Sequence, residues 1–143
     1  MSINSSAVVN GTGVTFYNTF DSGGKNFQPI KINGVSNSAL SAPTNSNDPT
    51  GALEGILFFE DRQAAKNGGG ATINNNINGG SGSTFDGSLY FYSSSLNYSG
   101  NSSTSGYSII VADQISITGT STVNDNYSSL ADGPPIKAAV VAE

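Results

Sequence analysis

Glu60, Asp61 and Arg62 form the one place in this chain where two carboxylates stand beside a cation. Polysaccharide-active enzymes use paired acids, one carboxyl protonating the leaving oxygen while the other acts as base or nucleophile across a cleft. When the apolar rows of the chain are written beneath one another, their last column reads Thr19, Asp61, Ser94, Asp113, Glu143. Carboxylates on neighbouring strands about 5 Å apart repel one another. Such a column either points into water at a corner or holds a hard cation such as Ca²⁺, which takes oxygen ligands. The solvated corner is the plainer expectation. A calcium ion, if held, would take Asp61, Asp113 and Glu143, with Glu60 and Asp125 widening the acidic patch. No other cofactor is expected and no catalytic residue is assigned. The chain has no histidine and no cysteine, so the usual imidazole base, triad member and thiolate or zinc ligands are missing. An enzyme is therefore the lesser expectation.

The rows that would position these groups come in two kinds, in strict alternation. One is a short row ending at glycine: AVVNG (7–11), IKING (30–34), NNING (75–79), LNYSG (96–100) and ISITG (115–119). The other has six mostly apolar residues: VTFYNT (14–19), ILFFED (56–61), LYFYSS (89–94), SIIVAD (108–113) and AAVVAE (138–143). β-Branched and aromatic rows at a period near 20 residues, broken by Gly, Ser and Asn corners, mark a solenoid whose turns must stack to bury their apolar faces. The spacing predicts an all-β fold, a single right-handed parallel β-helix of about five turns with loop insertions, in one domain spanning 1–143.

Composition agrees. Small polar residues suit tight corners and exposed stacked faces, and only 10% of the chain is charged. The net charge is -5 and the five cations, Lys25, Lys31, Arg62, Lys66 and Lys137, are scattered. Without a basic stripe, nucleic acid is not an expected partner. No apolar stretch is long enough to span a membrane. The abrupt start on a repeat row is expected of a fragment of a longer protein. Exposed solenoid ends would then be one route to homo-association.

Along the chain, residues 1–6 read as a polar lead-in, residues 35–54 as an ordered excursion from the stack, and 62–72 as a second loop. In the six-residue rows the first and third columns are the expected interior: Val14/Ile56/Leu89/Ser108/Ala138 and Phe16/Phe58/Phe91/Ile110/Val140. The second and fourth then face out, as Thr15/Leu57/Tyr90/Ile109/Ala139 and Tyr17/Phe59/Tyr92/Val111/Val141. An outward ladder of Tyr17, Phe59, Tyr92, Val111 and Val141 needs a cover, either the 35–54 loop or a docking partner or second copy.

The run GTGVTFYNT, ALSAPT, GILFFEDR, INGGSGSTFDGSLYFYSSSLNYSGNSST and IIVADQISITGTS resembles the C-terminal region of TadG-like proteins of the tight-adherence (Flp) pilus locus. The resemblance covers nearly the whole chain. It implies an extracytoplasmic, bacterial cell-surface or envelope location, with other pilus or envelope proteins as partners and no catalytic residue to carry over. Relatives of that kind carry cysteines where this chain has Tyr107 and Tyr127, so these tyrosines are expected to stack on neighbouring turns. The reading that follows is a non-catalytic structural or adhesive module. The alternatives are a polysaccharide-binding or polysaccharide-cleaving β-helix using the acidic patch, and an ice-binding solenoid. The last rests on Thr118, Thr120 and Thr122, whose counterparts one turn earlier are Ser99, Asn101 and Ser103.

Overall fold

The computed structural model describes residues 1–4, 7–20, 27–48, 50–63, 73–100, 106–130 and 133. The final row 138–143, with Val141 and Glu143, and most of the 62–72 loop lie outside the described residues. The strands are β1 (Ser2–Ile3), β2 (Asn10–Thr12), β3 (Phe16–Asn18), β4 (Lys31–Val35), β5 (Ala39–Ser41), β6 (Ile56–Glu60), β7 (Asn74–Gly79), β8 (Thr84–Gly100) and β9 (Ser108–Ile117). Every pairing between these nine strands is parallel. The result is an all-β molecule built on one parallel, strongly curled sheet.

The curl comes from three ladders. The first stacks β1, β4, β7, the second half of β8 and the end of β9. The second stacks β2, β5 and the first residues of β8. The third stacks β3, β6, the middle of β8 and the start of β9. Strand β8 thus serves all three. A straight strand of its 17 residues would run nearly 60 Å at about 3.4 Å per residue, so it has to bend. One bend is at Gly87, whose φ is 138°. A Cβ there would come within 2.7 Å of the Ala42 Cβ and 2.9 Å of the Leu57 Cβ. The other bend is the register irregularity between Phe91 and Ser95.

Pleat geometry sends alternate residues inward, and equivalent residues stack from rung to rung. In the first ladder the inner column is Ile3, Ile32, Ile77, Tyr98 and Ile117. In the second it runs from Gly11 to Leu40 and Phe85, and in the third from Phe16 to Phe58, Leu89 and Ile110. Ile32, Ile77, Tyr98, Phe85, Phe58, Leu89 and Phe91 are wholly buried. Phe58 stacks on Phe16 at 5.1 Å and on Phe91 at 6.4 Å between ring centroids. Full burial of such a side chain contributes about 1.5–3 kcal/mol.

Four expectations need correction. The first rung of the first ladder is Ser2–Ile3, paired with Lys31–Ile32, so residues 1–4 are no lead-in. AVVNG instead feeds β2 of the second ladder, because its Asn10–Thr12 segment pairs with Ala39–Ser41. Residues 35–54 do not leave the stack together either, since β5 lies within them. The excursion starts after Ser41 and is closed where the Gly55 N–H donates to the Pro43 carbonyl at 2.8 Å. Its tip is tied by Asp48, which accepts from the Thr50 hydroxyl at 2.6 Å and the Leu53 N–H at 2.7 Å. Those bonds, the Thr50 hydroxyl first, hold the Asp48 carboxyl below its usual pKa. Finally, Leu57 is not outward and Ile56 not inward, for Ile56 lines the outer face beside Phe59. The bulge between Ile56 and Phe58 opposite β8 makes Leu57 the extra residue, and both it and Phe58 turn into the core.

Truncating the inner column should leave cavities. Phe58→Ala and Phe91→Ala are each expected to cost about 3–5 kcal/mol. Tyr17→Ala and Tyr92→Ala, at side chains 60% and 48% exposed, should cost under about 1 kcal/mol. Urea unfolding of the four variants measures the difference, and equal losses would contradict the inward and outward assignment.

Candidate functional site

The outer column of the third ladder presents aromatic rings one above another. Tyr17 lies opposite Phe59, Phe59 opposite Tyr90, and Tyr90 opposite Val111. The rings stack at 5.7 Å between Tyr17 and Phe59 and at 5.0 Å between Phe59 and Tyr90. Tyr92 stands beside Tyr90 at 6.3 Å. Of the row expected from sequence, Tyr17, Phe59 and Val111 share this outer column, and Tyr90 rather than Tyr92 stands between Phe59 and Val111. Matching rows by apolarity cannot detect an offset of two, because the pleat repeats every second residue and the same faces stay in and out.

Charged groups border the row. The Arg62 guanidinium lies 4.9 Å from the Tyr92 ring and 5.4 Å from the Tyr90 ring, and its Nε donates to the Tyr90 hydroxyl at 2.7 Å. Asp61 Oδ2 accepts from the Tyr17 hydroxyl at 3.0 Å and the Thr19 hydroxyl at 2.9 Å, and Oδ1 accepts from the Gln63 N–H at 2.8 Å. Donation to Asp61 raises the Tyr17 phenol above its ordinary pKa, since losing that proton would put two anions together. Two shallow apolar hollows share Ile56 and Phe59. One, about 470 Å³, is bounded by Thr15, Tyr17, Ala52 and Leu53. The other, about 300 Å³, runs to Tyr90, Ile109 and Val111. The 42–55 excursion borders the row through Leu53 without covering it.

The acidic patch does not assemble as the spacing suggested. Glu60 points inward and is 1% exposed, whereas Asp61 faces out beside Thr19. Ser94, expected in the same outer column, is also interior. Its hydroxyl donates to Glu60 at 2.7 Å, and Asn75 Nδ2 donates to Glu60 Oε2 at 3.1 Å and to Ser94 Oγ at 2.8 Å. Asn75 Oδ1 in turn accepts the Ile30 N–H at 2.8 Å. The carboxylate thus satisfies a buried corner where β6 leaves the third ladder. Asp113 and Asp125 are exposed, and among the described residues no three acidic groups converge on a metal-sized site.

Tyr107 and Tyr127 do stack, tilted, with centroids 5.3 Å apart. Burial, followed by the charges of Glu54 and Asp86, pushes the Tyr107 phenol up to about 12. The second ladder was not separated from the first in the sequence rows. Its outer column Thr12, Ser41 and Asp86 floors a cleft of mixed lining, with Ala42 and Tyr107 beside the hydroxyls, whose only sequence signal is the alternation of small polar with apolar residues in those short rows. Among the described residues no helix is long and apolar enough to cross a membrane. No protein-family model matches this chain, and neither a curated protein nor a solved structure does.

Burial is the leading cause that raises the Glu60 carboxyl above its ordinary value of 4.5, with the Ser94 and Asn75 hydrogen bonds opposing it. A raised folded pKa means that this group's contribution is fully present below the unfolded pKa and is lost as pH climbs through the folded one. Glu60→Gln, neutral at every pH, should match the wild type near about pH 4 and exceed it near about pH 7.5. Thermal melts of both proteins at the two pH values decide it, and a difference that does not grow with pH would refute the assignment.

Proposed function

We propose that the curled sheet is a right-handed β-solenoid of five turns. We propose further that it serves as a non-catalytic structural or adhesive module of a bacterial pilus or envelope assembly, outside the cytoplasm. The observation that carries this reading is the outward row Tyr17, Phe59, Tyr90 and Val111, of which Tyr17 is exposed and the other three are half-buried. Cross-strand ring pairs stabilise the sheet by only about 0.2–1 kcal/mol each, whereas an interface adds their desolvation and concentrates binding energy in such residues. Five rungs in the first ladder support the turn count. The pilus or envelope setting is proposed from the resemblance of the rows to TadG-like proteins alone.

Polysaccharide cleavage has less behind it. It needs two carboxylates across a cleft, and Glu60 is turned into the core while Asp61 is tied to Tyr17 and Thr19. For ice binding, the Thr120 hydroxyl donates to the Gly100 carbonyl at 3.4 Å, so it faces the preceding turn rather than standing in a regular outward rank.

The reading is tested in the source cell with Tyr17→Ser combined with Tyr90→Ser. The wild-type chain is expected in the envelope or pilus fraction, and the double variant should keep its fold while its retention there falls about thirtyfold, as for loss of an aromatic hot spot. A wild-type chain confined to the cytosol would defeat the proposal. Undiminished retention of the variant would remove the row as the docking face.

A further inference from the structure

The cleft of the second ladder is built on a different column from the aromatic row, so the two readings stand or fall separately. Thr12 lies beside Ser41, and Ser41 beside Asp86, in register. These three outer residues form the floor. One wall is the 44–47 turn of the excursion, and the other is the 3₁₀ turn Tyr127–Ser129 with its cap Asn126. The space enclosed is about 400 Å³, within the range of small-ligand sites.

The walls are ordered before any ligand arrives. Asn47 Oδ1 accepts the Thr44 N–H at 2.7 Å, Asn126 Oδ1 accepts the Ser128 N–H at 3.2 Å, and Asp86 Oδ1 accepts the Gly106 N–H at 3.0 Å. Thr44 and Ser46 share a hydroxyl hydrogen bond at 2.8 Å. A site whose side chains are already fixed loses little further entropy on binding.

The lining also selects the ligand's chemistry. Its described residues include Asp86 and no lysine or arginine, which disfavours phosphates, uronates and other anions. A calcium ion would take six to eight oxygens, with charge from several carboxylates. Among the described lining residues one carboxylate is present, and both wall amide oxygens already accept backbone N–H groups. Hydroxyls that both donate and accept, beside a carboxylate that only accepts, match a neutral molecule dense in hydroxyls. We propose that this cleft binds a segment of a neutral glycan, with Asp86 accepting from sugar hydroxyls and the Thr12 and Ser41 hydroxyls flanking it.

Two variants probe the floor while sparing the fold. Asp86→Asn keeps an acceptor for the Gly106 N–H and removes the charge. Gly106→Ala sets a methyl 3.7 Å from the Asp86 carboxyl carbon, an ordinary contact, on backbone outside the left-handed region. The purified chain is titrated by calorimetry and by amide chemical shifts with neutral hexasaccharides of the glucan, mannan, galactan and chitin types, and separately with oligogalacturonate and CaCl₂. At least one neutral hexasaccharide should bind and shift the Gly106 and Asn126 amides. Asp86→Asn should weaken it about tenfold, as for loss of a charge-assisted hydrogen bond, and Gly106→Ala should weaken it by setting a methyl beside both Asp86 oxygens, each with an unchanged melting temperature, while Tyr17→Ala leaves it intact. The proposal is overturned if no neutral oligosaccharide binds, if only oligogalacturonate or Ca²⁺ does, or if binding survives in whichever of the two variants is folded.

Discussion

Stacking of like on like, rung above rung, is the interaction on which the rest of this molecule depends. No row here is long enough to bury its own apolar face. Ile32 is sealed because Ile3 and Ile77 lie on either side of it in the same column, and Phe58 because Phe16 and Leu89 do. Where the column ends, the seal ends too. Ile117, at the last described rung of the first ladder, is 53% exposed although it belongs to the same inward column as fully buried Tyr98.

Corners are the cost of that arrangement, because each bend takes backbone out of its ladder and leaves polar groups to satisfy. Two devices meet it. Glycine takes the bends where neighbouring chain comes too close for a Cβ, as at Gly87 beneath Ala42 and Leu57, and at Gly100, where a Cβ would strike the Gly79 carbonyl. A buried polar cluster serves the other corner. Glu60, Ser94 and Asn75 bond to one another and to the Ile30 N–H, so a carboxylate that looked available for chemistry is part of the scaffold.

Rigidity gives the outer columns their value as surfaces. A ladder holds its outward side chains at a fixed spacing, and two such columns differ in character although strand β8 contributes to both. The third ladder shows aromatic rings edged by Asp61 and Arg62; the second shows hydroxyls and one carboxylate between two tied loops. An apolar strip suits a protein surface and a hydroxyl-lined cleft suits a sugar. An adhesive module that meets both a neighbour in an assembly and a glycan would present such a pair of faces.

Much of this was legible in the residues. The parallel all-β character followed from the recurring rows, and the inward set Phe58, Leu89 and Phe91 from pleat parity, because local alternation reports which way a side chain points. Tyr17 and Phe59 as outward neighbours were legible for the same reason, whereas the stacking of Tyr107 on Tyr127 was expected from the resemblance and their spacing of twenty residues. Register was not. Whether Tyr90 or Tyr92 stands over Phe59 depends on how the chain turns at Gly87, and an offset of two leaves every parity unchanged. Nor could spacing tell that Glu60 points inward and its neighbour Asp61 outward from the wall of one corner. The middle ladder was hidden because its rungs, Asn10–Thr12, Ala39–Ser41 and Thr84–Asp86, are three residues each and far apart in sequence. Only the closing of each turn brings them side by side, so Asp86 and its cleft belong to the tertiary structure alone.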